Sequence, residues 1–335
     1  MPELRIDPIV GRRVYVAEER AGRPNDYEEG RESRVESREP EKTALSGSRP
    51  STLAPRPGCY FCAGNERYTP EASAMALDAD GNWRIRVVPN KYPAVTLEAE
   101  SSGAFGVHEV IIESPRHALA WIGLEVEHLA AILQTFRDRL IHWARHARLK
   151  HAVVFKNSGC AAGASLEHVH SQLVVLPSIA TTVQAELAAV RAQHALNGRC
   201  PFCDLVQREL QARERIVIRA AGYLAVCAYA PRQPFETWIL PERHVPRFGL
   251  MDDHTFIGQA AVLHELLRRL EAASPGAAYN LLLHNAPFDA PEEAFHWHWE
   301  LVPRLTHDAG LEWGGGVYIT PLSPEHAAQK LRNAI

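Results

Sequence analysis

Residues 157–177 read Asn157-Ser158-Gly159-Cys160-Ala161-Ala162-Gly163-Ala164-Ser165-Leu166-Glu167-His168-Val169-His170-Ser171-Gln172-Leu173-Val174-Val175-Leu176-Pro177, so two histidines and a glutamine alternate just after a turn of glycines and small residues. Residues two apart on a strand share a face. A strand over 168–176 therefore projects His168, His170 and Gln172 together and leaves Val169 and residues 173–175 for apolar packing. An unprotonated imidazole nitrogen beside turn N–H groups is equipped for in-line attack on phosphorus, because the N–H groups hold the phosphoryl oxygens while the nitrogen attacks. The bland alternative is a pair of ordinary surface histidines on an edge strand.

The cysteines carry a second kind of chemistry. Four of the six form two copies of one arrangement, Cys59-Tyr60-Phe61-Cys62 and Cys200-Pro201-Phe202-Cys203, leaving Cys160 and Cys227 alone. In a reducing cytosol such pairs are metal ligands or redox centres rather than structural disulfides. Pro57-Gly58 and Gly64-Asn65 bracket the first pair in turns, which suits a zinc knuckle better than a redox pair opening a helix. Zinc needs two further ligands per site. After each pair comes an apolar run followed by a proline and then a histidine, Pro115-Arg116-His117 in the first half and, with one residue more, Pro241-Glu242-Arg243-His244 in the second. A His-x-His pair then opens 51 residues on at His168 and 52 residues on at His296. This repeated order predicts two tetrahedral sites, Cys59, Cys62, His117 and His168 in the first half and Cys200, Cys203, His244 and His296 in the second, and an internal duplication.

The elements that must position these groups follow from periodicity. Apolar residues at 129, 132, 133, 136, 140 and 143 predict a helix over 125–148, and further helices are expected over 180–194 and 253–271. Strands are expected over 12–17, 83–88, 106–112, 152–156, 168–176, 216–220, 223–228, 238–240, 279–283 and 296–301. Neighbouring strands with one long helix per half predict an α+β fold, a mostly antiparallel sheet with helices packed on one face. The 335 residues exceed what one core usually supports, and the division is expected at 1–178 and 179–335. Residues 27–57 run polar, with alternating charges and several prolines, and are expected to form an irregular excursion without a core.

With 46% hydrophobic and 23% charged residues the composition is that of a globular protein, and a formal net charge of −4 offers no general attraction for nucleic acid or an anionic membrane. No apolar run approaches the length of a membrane span, and the N-terminal residues lack a signal-peptide layout, so a cytoplasmic location is expected.

Gly58-Cys59-Tyr60-Phe61-Cys62-Ala63-Gly64-Asn65, Val88-Pro89-Asn90-Lys91-Tyr92-Pro93-Ala94, the 157–172 segment and Phe295-His296-Trp297-His298-Trp299-Glu300-Leu301-Val302-Pro303-Arg304 occur in this order along the chain. Together they resemble the galactose-1-phosphate uridylyltransferases of the histidine triad superfamily. The resemblance runs from Leu4-Arg5-Ile6-Asp7-Pro8 to Ala327-Ala328-Gln329-Lys330-Leu331-Arg332, nearly the whole chain outside the charged excursion.

The resemblance implies ping-pong nucleotidyl transfer through a covalent nucleotidyl-histidine. His170 matches the family's nucleophile, and a nucleotide sugar and a hexose 1-phosphate are its partners. His168 with Cys59, Cys62 and His117 matches a structural zinc site. Gln172 replaces the third histidine of histidine triad hydrolases, and its amide can bond a phosphoryl oxygen without supplying a proton. Asn157, Gly163 and Ser165 match the loop at the nucleotide phosphates, and Asn90 a nucleotide-contacting asparagine. Arg20 and Arg23 align with paired arginines that reach phosphate from the partner subunit of a homodimer. Cys200, Cys203, His244 and His296 match a second metal site present in some members. His298, at the position equivalent to the nucleophile, lacks a glycine-rich turn before it and is read as structural.

Two departures bear on substrate. Ser171 stands where bacterial and animal sugar-metabolism members have glycine, as in a branch that includes plant adenylyl-sugar phosphorylases. Residues 312–318 depart from those that grip the hexose. Uridylyl transfer between glucose and galactose 1-phosphates is the first expectation. Phosphorolysis of ADP-glucose is the second, and a zinc-stabilised nucleotide-binding protein without chemistry is the alternative of another class.

Overall fold

The computed structural model describes residues 1–9, 11–27, 56, 58–291 and 295–335. Most of the expected excursion, residues 28–55 and 57, lies outside them. Strands β1 (Glu3–Ile6) and β2 (Arg13–Val16) pair antiparallel as a small sheet of their own. The main sheet comprises β3 (Ala74–Leu77), β4 (Trp83–Pro89), β5 (Val107–Ile112), β6 (His151–Ser158), β7 (His170–Leu176), β8 (Ile216–Ala220), β9 (Tyr223–Cys227), β10 (Thr237–Pro241), β11 (Tyr279–His284) and β12 (His298–Pro303).

Its order, β3-β4-β5-β7-β6-β11-β12-β10-β9-β8, reads the same outward from its centre. β6-β7-β5-β4-β3 on one side is matched by β11-β12-β10-β9-β8 on the other, and every neighbouring pair is antiparallel. The halves are thus fused into one sheet through β6 and β11, with Asn157 opposite Asn280 and Val154 opposite Leu283.

Among the described residues lie helices α1 (Val126–Ala144), α2 (Thr181–Asn197), α3 (Pro201–Ala212), α4 (Phe256–Ala273), α5 (Gly310–Gly315) and α6 (Pro324–Asn333). α1 and α4 are the expected long helices. Leu129, Ile132, Leu133, Phe136 and Leu140 of α1 join Leu263, Leu266, Leu267 and Leu270 of α4 over Val154, Leu173, Leu281, Trp299 and Leu301 in the largest core. Each such side chain removed from water contributes about 1.5–3 kcal/mol.

α2 and α3 cover the opposite face, and only in the second half, where Val190, Phe202 and Val206 pack on Leu224, Val226 and Leu240. Among the described residues, the corresponding face of the first half carries only the small cluster Phe61, Val88, Val110 and Ile112. That asymmetry leaves a cleft open over β7. α3 begins at the second cysteine pair with Pro201 in its first turn, where the missing N–H costs nothing. No helix among the described residues is long and apolar enough to cross a membrane.

Candidate active site and metal centres

β7 begins at His170, so His168 sits just before the strand rather than on its face beside His170 and Gln172 as expected. The reason is local. The two-residue approach to β7 is held by Val169, whose N–H donates to Ala118 O at 2.9 Å and whose carbonyl accepts from Glu113 N at 3.3 Å, and the His168 ring turns to the cysteines. His170 and Gln172 do share the face opposite the large core.

His170 Nδ1 donates to the His168 carbonyl at 2.8 Å, which leaves Nε2 with the lone pair. Burial, with the nearby Lys156 ammonium, lowers the pKa of the ring and favours its neutral form. His170 and Gln172 line a cleft of about 160 Å³ together with Arg20, Arg23, Asn90, Gly163 and Ser165, so seven of the eight catalytic and substrate-binding residues expected from sequence meet in one place.

The arginines reach this cleft from the same chain: Arg20 donates to Tyr92 O at 2.6 Å, and the segment after Arg23 is tied to the turn by Asp26 N to Ser165 O at 2.8 Å. The eighth residue, Asn157, stands behind the turn, where Asn280 Nδ2 donates to Asn157 Oδ1 and to Ala162 O, both at 2.9 Å. Gly159 and Gly163 both take φ of +84°, and a Cβ on Gly159 would lie 2.8 Å from Ala278 Cβ, so glycine is required there.

Behind the strand that bears His170 lies a buried polar network that the sequence reading did not pick out. Glu113, 0% exposed, accepts from Lys156 Nζ at 2.6 Å, from Trp121 Nε1 at 2.7 Å and from the Ser171 hydroxyl. Lys156 Nζ also donates to the His170 carbonyl at 3.0 Å. The available signal was a lysine inside the apolar run of β6, since a charge there must be paired. His108, within β5, was likewise unremarked, and it touches Gln172 Oε1 at 2.9 Å.

The first cysteine pair meets His117 and His168. Cys59 Sγ stands 3.4 Å from His168 Nδ1, and Cys62 Sγ 3.6 Å from both His117 Nδ1 and His168 Nδ1. Tetrahedral zinc with bonds of about 2.3 Å to sulfur and about 2.0–2.1 Å to nitrogen needs S···N edges near 3.5 Å, so this donor set fits the ion. His168 Nε2 donates to Ser114 O at 2.9 Å, fixing the tautomer that offers Nδ1, and burial holds the ring's pKa at about 3.

The second pair repeats the arrangement. Cys203 Sγ lies 3.5 Å from His244 Nδ1 and 3.6 Å from His296 Nδ1, and His296 Nε2 donates to Pro241 O at 3.0 Å. In each set the four ligand atoms lie within 4.8 Å of one another.

His298 copies the backbone tie of His170, with Nδ1 donating to His296 O at 3.2 Å, but it is sealed. Its ring is 0% exposed and stacks on Trp238 at 5.0 Å, with Phe202 at 4.9 Å, so no substrate reaches it. It belongs instead to a buried cluster with Glu186, His284 and Glu300 that sequence reading missed because its members come from α2, β11 and β12. There the Glu186 carboxylate, 2.7 Å away, and Glu300 overcome the burial cost and push His284 up to about 10, and Arg232 donates to Glu300 at 2.5 Å.

Comparison with known proteins matches this architecture along the chain. Residues 1–179 match the family model described as galactose-1-phosphate uridyl transferase, N-terminal domain, and residues 186–311 the model of its C-terminal domain. An ADP-glucose phosphorylase of Arabidopsis thaliana is 30% identical, over 99% of this chain and 92% of that protein. A crystal structure of an ADP-glucose phosphorylase from Arabidopsis thaliana with bound ADP-glucose superposes with a TM-score of 0.77 at 29% identity, covering 99% of both chains. A galactose-1-phosphate uridylyltransferase of Haemophilus influenzae is 27% identical, over 99% of this chain and 94% of that one. The chain belongs to the galactose-1-phosphate uridyl transferase family.

Proposed function

We propose that this chain is a nucleotidyltransferase that carries a nucleotidyl group on His170, passing it between sugar phosphates as a UDP-glucose–hexose-1-phosphate uridylyltransferase does. The observation that carries the reading is the aim of one nitrogen: His170 Nδ1 is spent on the His168 carbonyl, and the ring opens on a cleft lined by Arg20, Arg23, Ser165 and Gln172. Nε2 attacks the α-phosphorus of the nucleotide sugar and forms a P–N bond as the bond to the bridging oxygen breaks. That oxygen leaves with the hexose 1-phosphate, already anionic, so the departure needs no proton donor. An incoming sugar phosphate oxygen then displaces the imidazole by the reverse path.

The arginine forks and the Ser165 hydroxyl suit phosphate oxygens. Gln172 is a donor that cannot act as an acid or base toward water. Zinc held by Cys59, Cys62, His117 and His168 would pin the residue two before the nucleophile without touching substrate, and Cys200, Cys203, His244 and His296 would hold a second ion. A reducing compartment such as the cytoplasm keeps those thiols available. We place the enzyme as a homodimer, supported by exposed Leu311, Trp313, Val317, Tyr318 and Ile319 near the C-terminus.

A second reading, adenylyl transfer from ADP-glucose to inorganic phosphate, is favoured by the 30% identity to an ADP-glucose phosphorylase over 99% of the chain and by Ser171. One experiment decides. The protein is incubated with UDP-glucose or ADP-glucose labelled in the α-phosphate, and protein-bound label is discharged with galactose 1-phosphate or with phosphate. Label from UDP-glucose lost to galactose 1-phosphate supports the first reading, and label from ADP-glucose lost to phosphate the second. A zinc-loaded protein that takes no label from either, or a His170→Ala variant that still takes it, refutes both.

A further inference from the structure

We propose that His108 is a positioning residue that locks the Gln172 side chain with its –NH2 turned into the cleft, so that only donors face the transferring phosphoryl group. The inference rests on the nucleotidyl-transfer reading above and adds to it a residue and a hydrogen-bond direction.

The Ala94 backbone N–H donates to His108 Nδ1 at 3.0 Å, so that nitrogen must hold a lone pair. A neutral imidazole then carries its proton on Nε2, and Nε2 stands 2.9 Å from Gln172 Oε1. Asn90 is fixed in the same way. Its Oδ1 accepts from Tyr92 N at 2.8 Å, so its Nδ2 faces His108 Nε2 at 3.0 Å and Gln172 Oε1 at 3.5 Å. Two N–H groups cannot bond each other, which directs the Asn90 hydrogen to Gln172 Oε1 as well.

The Gln172 carbonyl is thus met by two donors from one side. The rotamer that swaps oxygen and nitrogen would set its –NH2 against both of them, so the remaining end of the amide, the –NH2, is turned away from β5. Gln172 lines the cleft with His170 one strand residue-pair away on the same face. Burial, with the charge of Arg20, lowers His108 to about 4 against the Gln172 bond, and the Ala94 N–H on Nδ1 leaves no room for a second ring proton. An amide free to flip would present its oxygen to the phosphoryl oxygens half of the time, and a buried unpaired acceptor there repels the charge that builds on the transferring group.

The test is a double-substitution cycle on the zinc-loaded protein, read as the single-turnover rate of label transfer to His170. His108→Phe should slow transfer about 10- to 100-fold, on the scale of weakening one preorganised donor, with donor KM within about threefold. Gln172→Met should slow it by the same order. The double variant should be no more than about twofold slower than the slower single one, since His108 acts only through Gln172. His108→Gln, which can place an amide N–H where Nε2–H stands, should keep the rate within about threefold. Losses that multiply, or His108→Phe at the wild-type rate, overturn the proposal.

Should His108→Phe not fold, His108→Gln and the ¹⁵N spectrum of the wild-type imidazoles decide. A protonated Nε2 with a lone pair on Nδ1 of His108 is expected, and the opposite tautomer overturns the proposal. A wild-type protein that takes no label defeats the functional reading alone, because the spectrum still judges the His108–Gln172 bond.

Discussion

The buried Glu113–Lys156 pair sets a quantitative expectation for the strand that bears His170. Glu113 is 0% and Lys156 3% exposed, and they meet at 2.6 Å. Glu113→Gln keeps the shape but removes the charge. The ammonium then keeps only neutral partners: the amide oxygen that replaces the carboxylate, the His170 carbonyl at 3.0 Å and the Trp121 ring at 5.2 Å. Stranding one buried charge in this way costs about 3–5 kcal/mol, a large part of the 5–15 kcal/mol that holds a typical fold. With a urea m-value near 3 kcal/mol/M, the upper end for small proteins, the unfolding midpoint should fall by roughly 1–1.7 M.

Lys156→Met alone strands the carboxylate, although the Trp121 and Ser171 donors still serve it, so its loss should be smaller. The double variant Glu113→Gln/Lys156→Met leaves no unpaired charge at this site and should recover at least half of the Glu113→Gln loss. Urea unfolding of the four zinc-loaded proteins, followed by tryptophan fluorescence, checks this. Losses that simply add would show that the pair is not a unit and would refute the reasoning.

Cys62→Ser should release one zinc per chain and abolish labelling of His170, whereas Cys203→Ser should release one zinc and leave labelling within about threefold; metal analysis and the label assay read both, and equal effects would count against a positioning role for the first site. Because burial lowers the His170 pKa from 6.5, the acid fall-off of the labelling rate should have its midpoint below pH 6.5, and a midpoint at or above that value would contradict a buried neutral nucleophile. Gly159→Ala forces an L side chain to φ +84° and against Ala278, and should cost about 1–3 kcal/mol with loss of donor binding, measured by thermal unfolding and by titration with the nucleotide sugar.

The two Cys/His clusters and the place of His170 in the cleft were legible in the sequence because each leaves a local mark. Cys59 and Cys62 lie between glycines, His117 and His244 follow prolines, and His170 opens a strand after a glycine turn. α1 and α4 were legible through the 3.6-residue recurrence of leucine and phenylalanine. What escaped is what only pairing between distant segments creates. Nothing in β6 or β11 alone announces that the two halves share one sheet, and α3 was hidden because its cysteine pair drew attention to metal and away from Pro201 as a helix start. His108 and Lys156 were read only as parts of strands and Glu113, just past one, was not singled out, since a polar residue whose partner lies 43 positions away, as Glu113 does from Lys156, shows no spacing of its own. The Glu186–His284–His298–Glu300 cluster is assembled from a helix and two strands and escaped for the same reason.

The pairing of β6 with β11 makes the duplicate half indispensable even though its own histidine is walled off. Were the chain cut after β7, β6 would present a bare row of peptide groups, and the glycine turn before β7 would lose the Asn280 amide that ties Asn157 to Ala162. One copy has become a scaffold on which the other performs, so shortening this protein to its reactive portion should yield an adhesive fragment with a slack loop, not a smaller enzyme.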